Sequence, residues 1–173
     1  MTPLPEEQWD DAMRDALSPL LSEDRRNSRD AGNVLATLLR HPDLTRGYLH
    51  FNAHLLLNST LSPRIREVAL LRAVHLRGCD YLWDHHIAIA ERAGVTAADL
   101  DRIRAGDSSD AVDRLVVATV DEIDRSHTLA DDTWMRLREF FDERQILDLL
   151  FTVGCYQSLA VAVNVLAIAP EHP

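Results

Sequence analysis

Residues 62–94 read SPRIREVALLRAVHLRGCDYLWDHHIAIAERAG. Ser62-Pro63 is a helix start: a hydroxyl that can accept from the first unpaired N–H groups, then a proline whose fixed φ suits the first helical position. Apolar residues at helical spacing predict a helix from Arg64 to Arg77, stopped at Gly78. A second follows from Asp80 to Ala93 and closes on Gly94, which can adopt the left-handed conformation of a C-terminal cap. Working outward, Trp9, Met13, Ala16, Leu17 and Leu20 give the same spacing from Pro5 to Leu21. After a polar connection, Ala31–Leu39 is a short helix ended by His41-Pro42, since the residue before proline is pushed out of the α region. Asp43 is then the expected cap of a helix to Leu57. Downstream, Thr96 caps a helix to Arg104, and Gly106 to Ser109 is a loop. Asp110–Arg125 is amphipathic, and Asp131-Asp132-Thr133 opens a helix to Phe141. Glu143–Ala169 is apolar around most of its circumference, which marks a core helix or a subunit interface. Strand-like alternation is nearly absent. The reading is an all-α chain, one domain over residues 1–173, built as a bundle of about eight helices.

Composition narrows the function. The formal net charge is −10 and no helix carries a dense basic stripe, so neither nucleic acid nor an anionic membrane is an expected partner. No apolar run is expected to approach the ~20 residues of a membrane-spanning helix. The start, Met1-Thr2-Pro3-Leu4-Pro5-Glu6-Glu7, has no signal-peptide pattern, which makes a cytoplasmic location the expectation. All 18 basic residues are arginine. Schiff-base chemistry, pyridoxal phosphate attachment and a P-loop all need lysine, so this chain cannot supply them. Cys79 and Cys155 are too few and too distant for a disulfide framework or a sequence-local zinc site.

The chemistry-bearing residues lie on the two helices first quoted. Glu67 sits among Leu70, Leu71 and Val74, within roughly 60° of all three at about 100° per residue, so its carboxylate stands in an apolar stripe. Burial of a carboxylate favours its protonated form, which suits a general acid or base. A structural glutamate bonded to an arginine or a helix end fits the same pattern. On the next helix Cys79, Leu82, Trp83, His86 and Ala90 share one face. A thiol and an imidazole there could form an activated nucleophile, or simply a core histidine beside a buried cysteine. His85 points about 100° away from His86, and adjacent histidines do not readily bind one metal. His50 and His54 are four apart but lack a nearby acidic third ligand, so no metal is expected. Either could still reach the pocket of Glu67 and His86.

Taken together, these segments resemble the carboxymuconolactone decarboxylase family, within the alkyl hydroperoxidase D-like superfamily. The resemblance is carried by Leu61 to Arg72, by Gly78 to His86 followed by Ala90-Glu91-Arg92-Ala93-Gly94-Val95, and by Phe141 to Leu150 with Gly154, Tyr156 and Asn164. It runs from about residue 41 to 167, leaving 1–40 as an N-terminal helical extension. It implies an alkyl hydroperoxidase D-like helical fold that assembles as trimers or hexamers. It also implies one of two activities: cofactor-free decarboxylation of a γ-carboxymuconolactone, or a disulfide-reducing peroxidase with a Glu, Cys-x-x-Cys and His relay. By position the relay glutamate is Glu67, the first cysteine Cys79 and the histidine His86, while Leu82 stands at the second cysteine. Leucine cannot resolve a disulfide. The decarboxylase branch has Tyr-Glu-Trp where this chain has Tyr81-Leu82-Trp83.

The resulting expectation is a cofactor-independent enzyme moving a proton on a small carboxylated or lactone substrate. Glu67, His86 and Cys79 form the catalytic set, and Tyr81, Leu82, Trp83 and His54 line the substrate pocket. The alternatives are a thiol-dependent hydroperoxidase using Cys79 and a non-catalytic oligomer that binds a ligand or partner protein.

Overall fold

The computed structural model describes residues 1–171. Nine α-helices form among them: α1 Asp11–Ala16, α2 Ser28–Leu38, α3 Pro42–Ala53, α4 Pro63–Leu76, α5 Asp80–Arg92, α6 Ala97–Ala105, α7 Ala111–Ser126, α8 Asp131–Phe140 and α9 Glu143–Val165. No strand forms among the described residues. They pack as two compact units, Ser59–Ala162 and a second made of Met1–Asn58 with the segment beginning at Val163.

In the Ser59–Ala162 unit α4 is the central helix, packed by α5, α6 and α7. Ser62 Oγ accepts from the Ile65 N–H at 3.3 Å, and Pro63 fills the first position, as the sequence predicts. Every residue from Glu67 to Val74 is buried. A helix enclosed all round must satisfy its polar side chains internally, and Arg72 does so with four bonds. Its guanidinium donates to both oxygens of Asp121 (2.5 and 3.0 Å) and to the Ile103 and Arg104 carbonyls (both 2.9 Å). The last two are carbonyls of the final turn of α6, where i+4 donors run out; that of Ile103 also accepts from the Gly106 N–H at 3.2 Å. Gly106, at φ 81°, then turns the chain, and a Cβ there would lie 3.0 Å from Arg72 Nη2. Position 106 is therefore restricted to glycine by its backbone and by its neighbour.

Arg64 forms a second clasp. It donates to Asp113 (2.7 and 3.0 Å), to Asp99 (3.0 Å) and to the Gly94 carbonyl, joining the starts of α4, α6 and α7. Burial pushes the Asp113 carboxyl above its ordinary value, with Arg64 opposing. Asp99 is held below its ordinary value, first by the Thr96 N–H in the α6 capping box and also by Arg64. At the far end of the unit, Asp148 of α9 accepts from the N–H and hydroxyl of Thr60 at 2.6 and 2.7 Å.

The other unit has its own core of Leu4, Trp9, Ala16, Leu17, Leu21, Ala31, Ala36, Leu39 and Leu49. The expected helix from Pro5 to Leu21 is instead a 3₁₀ turn, Glu6–Gln8, followed by the short α1. Of its periodic residues Trp9, Ala16 and Leu17 are buried and Met13 and Leu20 partly so, so the spacing reported burial rather than a continuous hydrogen-bond ladder. His41, not Asp43, caps α3: Pro42 takes the first helical position and the His41 ring accepts from the Leu44 N–H at 3.3 Å. The end of α3 widens into a π turn over His54–Asn58.

One expectation is overturned. α9 is long and apolar enough, by length and composition, to cross a membrane. Its sequence carries no charged residue from Leu149 to Val165. More than half of its apolar window is buried inside the protein, including Leu149, Val153, Tyr156 and Ala160, which is the pattern of a core helix.

Candidate active site

α4 and α5 are joined by a tight turn at Gly78, which packs them as neighbours. Their facing sides bring Glu67 and His86 together, 19 residues apart in sequence. His86 Nδ1 lies 2.9 Å from Glu67 Oε2, in a contact where the Glu67 side chain is wholly buried and that of His86 is 6% exposed. A carboxylate only accepts, so Nδ1 carries the proton; in the neutral ring Nε2 is then the basic nitrogen. Nε2 makes no hydrogen bond to the protein among the described residues. The other oxygen, Glu67 Oε1, accepts from Arg66 Nε at 3.1 Å.

The carboxylate is therefore not an isolated acid in an apolar stripe. Both oxygens have cationic or polar partners, which is what allows it to sit at zero exposure. Sequence reasoning missed Arg66. Adjacent helical residues point about 100° apart, so no spacing rule links positions 66 and 67. It also missed Tyr156 as a site residue. That ring comes from α9 and meets the His86 ring edge to face, with centroids 5.2 Å apart and planes at 88°. The His85 ring also meets that of His86, at 5.8 Å and 62°.

One turn before Tyr156, Thr152 is fully buried. Its Oγ1 is the one buried side-chain oxygen or nitrogen without a hydrogen-bond partner among the described residues. The i, i+4 spacing of Thr152 and Tyr156 was the available signal.

Cys79 is the N-cap residue of α5 and is 1% exposed. Burial raises its thiol above the ordinary value, Asp80 adds to the rise, and the Leu82 N–H opposes it. No hydrogen bond joins Cys79 to His86 among the described residues. Cys155 lies on α9, buried, and neither cysteine is in a disulfide. Leu82 is buried at 3% exposure. Tyr81 stacks on His85, with centroids 6.3 Å apart and planes 9° from parallel. Trp83 is engaged by His75 at 5.7 Å and by the Arg104 guanidinium 4.4 Å from its ring centroid. Burial, with Arg72 and Arg104 nearby, holds the His75 imidazole below its ordinary value. His54 opens the π turn of the Met1–Asn58 unit and is exposed, as is His50. No group of three or more His, Cys, Asp or Glu is placed to hold a metal among the described residues.

Residues 42–120 match the model of the carboxymuconolactone decarboxylase family. No curated protein sequence matches the chain. Among solved structures, an uncharacterized peroxidase-related protein from a Silicibacter species superposes with a TM-score of 0.72 at 19% identity. That match covers 80% of this chain and 76% of the other. A protein of unknown function from Agrobacterium tumefaciens, suggested to be the antioxidant defence protein AhpD, superposes with a TM-score of 0.66 at 19% identity. It covers 78% of this chain and 93% of the other. At that identity the two structures establish the all-α, alkyl hydroperoxidase D-like fold.

Proposed function

We propose that the chain is a cofactor-independent enzyme whose His86 Nε2 transfers a proton to or from a small carboxylated or lactone substrate, a reading supported by the match of residues 42–120 to the carboxymuconolactone decarboxylase family model. The observation that carries this is the buried His86–Glu67 contact, with Arg66 on the second carboxylate oxygen. The arrangement fixes one tautomer, leaves Nε2 available, and places a carboxylate where charge develops on the ring as Nε2 is protonated. In a decarboxylation the substrate C–C bond to the carboxylate breaks and CO₂ leaves. The electron pair stays in the conjugated carbon skeleton, and the Nε2–H of protonated His86 delivers the proton to carbon. The ring returns to its neutral form and is reprotonated from solvent. Glu67 acts as the orienting group and Arg66 as its brace.

A thiol-dependent hydroperoxidase is the second reading. It is favoured by Cys79 standing on the His86 face, and by the peroxidase-related and antioxidant descriptions of the two structural neighbours. In that case the Cys79 thiol would reduce a hydroperoxide to the alcohol and become a sulfenic acid, and an outside thiol would have to resolve it. The burial of Cys79 and Leu82 at the resolving position count against it.

The deciding experiment runs two assays side by side on wild type, Cys79→Ser, His86→Gln and Glu67→Gln. One follows CO₂ release from carboxylated lactones and β,γ-unsaturated acids; the other follows hydroperoxide reduction with a dithiol. The proposal expects CO₂ release that survives in Cys79→Ser and falls by about 10²–10⁴ in His86→Gln. Hydroperoxide turnover lost in Cys79→Ser, with no CO₂ release from any substrate, would replace it with the second reading.

A further inference from the structure

Four threonines are buried within helices among the described residues, and three of them satisfy their hydroxyls in the same way. Thr37 Oγ1 donates to the Asn33 carbonyl at 2.7 Å, and Thr119 Oγ1 to the Leu115 carbonyl at 2.8 Å. Thr45 Oγ1 meets the His41 carbonyl at 3.0 Å and that of Leu38 at 2.6 Å. A hydroxyl in a helix can return to the carbonyl one turn back, which offsets the cost of burying it. Thr152, in α9, does not. It has no exposure, and its Oγ1 has no hydrogen-bond partner. A valine has the same shape and would be buried there without that cost, so the fold gains nothing from the oxygen. A buried polar atom that the fold does not need calls for a partner from outside the chain.

Its place in the Ser59–Ala162 unit says which partner. Asp148, Thr152 and Tyr156 follow one another at steps of four, and so form one strip about 80° wide along α9. Both ends of the strip are fixed. Asp148 accepts from the N–H and hydroxyl of Thr60, just before α4, and the Tyr156 ring meets the His86 ring of α5. Thr152 stands midway, so it is directed to the same pair of helices. One turn separates it from Tyr156, a rise of about 6 Å. That is the span of a small ligand and too long for a hydrogen bond to His86 itself. His86 Nε2 also makes no hydrogen bond to the protein, whereas both oxygens of Glu67 are bonded. A base and a hydroxyl are thus left unpartnered on neighbouring turns, next to a carboxylate that is fully engaged.

We propose that Thr152 is a substrate-binding residue of the Glu67–His86 site, its hydroxyl donating to the carbonyl oxygen of a lactone or conjugated acid, an assignment that rests on the proton-transfer reading of His86. Its role follows from where charge collects. As the C–C bond to the carboxylate breaks and CO₂ leaves, the electron pair moves through the conjugated skeleton onto that carbonyl oxygen. The Thr152 hydroxyl keeps its own proton and holds the oxygen by a hydrogen bond that strengthens as the negative charge grows. When the Nε2–H of His86 gives its proton to carbon, the carbonyl re-forms and the charge is gone. His86 and Thr152 then act on two different atoms of one substrate, the carbon that gains the proton and the oxygen that carries the charge meanwhile. Because the hydroxyl is buried, it meets the oxygen away from water, where such a bond counts for most.

The test compares wild type with Thr152→Val, which keeps the shape of the side chain, and Thr152→Ser, which keeps the hydroxyl. Circular dichroism checks that each is folded. Isothermal titration uses γ-butyrolactone-γ-carboxylate, a saturated lactone acid with no conjugated path along which to lose CO₂. Its dissociation constant is expected to rise about 10-fold in Thr152→Val and to stay within about 2-fold of wild type in Thr152→Ser. The kcat for CO₂ release from unsaturated lactone acids is expected to fall about 10²-fold in Thr152→Val, more than the binding loss, and to recover in Thr152→Ser. A probe that does not bind wild type, or that binds Thr152→Val as tightly, overturns the proposal. Failure of the proton-transfer reading has a different signature. Probe binding that weakens in Thr152→Val, with no CO₂ release from any substrate, keeps Thr152 in the site and removes the decarboxylation. CO₂ release that is lost in His86→Gln but unchanged in Thr152→Val keeps the decarboxylation and removes Thr152.

Discussion

Replacing Glu67 by glutamine changes one atom type and removes one charge, at a position with no exposure. In the native contact, Oε1 accepts from Arg66 and Oε2 from His86, so both carboxylate oxygens are acceptors. An amide has one acceptor and one donor, so one of the two partners must lose its bond and meet an N–H instead. Arg66, whose side chain is 13% exposed, can turn toward water; His86, at 6%, cannot. The amide oxygen should therefore stay on His86 as a neutral bond, and the Arg66 pairing should be lost. Breaking a buried ion pair from one side costs about 3–5 kcal/mol, and the partial escape of Arg66 reduces this to about 2–4 kcal/mol. With a urea dependence of about 2 kcal/mol per molar, the unfolding midpoint should fall by roughly 1–2 M. Long-range ¹⁵N–¹H correlation spectra of the imidazole rings give the second readout: wild-type His86 should show the proton on Nδ1, and the variant a mixed population. A midpoint within about 0.3 M of wild type, together with an unchanged tautomer, would mean that Glu67 does not orient His86, and the proposed proton transfer would lose its orienting group.

Three further outcomes follow from single sites. The folded Cys79 thiol lies above its ordinary value of 9.0 because it is buried, so the folded state holds that proton more tightly than the unfolded chain. Its contribution to stability is full below the unfolded value and is lost as pH rises toward the folded one. Urea midpoints measured from pH 7 to 10.5 should fall at the alkaline end in wild type and fall less in Cys79→Ala; parallel curves would remove the effect. Thr152→Val replaces a buried hydroxyl that has no partner with a methyl of the same shape, and should stabilise the protein by about 1 kcal/mol, or about 2–4 °C in thermal melting. A lower melting temperature would show that the hydroxyl is bonded in solution. His127 ends α7 at φ 59°, in the left-handed region, with its N–H on the Ile123 carbonyl at 2.9 Å. His127→Gly should gain about 1 kcal/mol by removing the Cβ strain, as measured by thermal melting, and a loss would mean that the imidazole makes a compensating contact.

Local chemistry was legible in the sequence where one side chain suffices to decide. Ser62 with Pro63, and Thr96, cap the helices they were expected to cap. His41 was missed because a ring nitrogen is an uncommon cap acceptor, and Asp43 lay two positions further on with a better one. The burial of Glu67 was likewise legible, because it depends only on which residues share its face. Its partners were not. The bond to His86 depends on how α4 and α5 rotate against each other, and the contact with Tyr156 on a third helix that arrives 70 residues later. Trp83 shares the His86 face on a helical wheel, yet its ring is taken up by Arg104 and His75, contacts that helical phase alone does not predict. For α9, apolarity on nearly every side could mean core, membrane or interface; the burial pattern separates an inner face at Leu149, Val153 and Tyr156 from the exposed stripe through Phe151 and Val161.

The choice between proton transfer and thiol chemistry turns on which effect wins at the start of α5. A cysteine at a helix N-terminus meets the positive end of the helix dipole and unpaired N–H groups, and both favour the thiolate that a peroxidase needs. Cys79 occupies that position and has the Leu82 N–H close by. Its side chain is nevertheless buried, Asp80 is the next residue, and the net direction is upward, toward a thiol that keeps its proton. Seven residues on, His86 is buried as well, but against a carboxylate that an arginine braces from the other side. Of the two groups on that face, the histidine is oriented by a buried carboxylate, and the cysteine is buried beside Asp80 with its thiol held toward the protonated form. That contrast, within one helix, is why the proposed mechanism runs through Nε2 of His86 and leaves Cys79 as a wall.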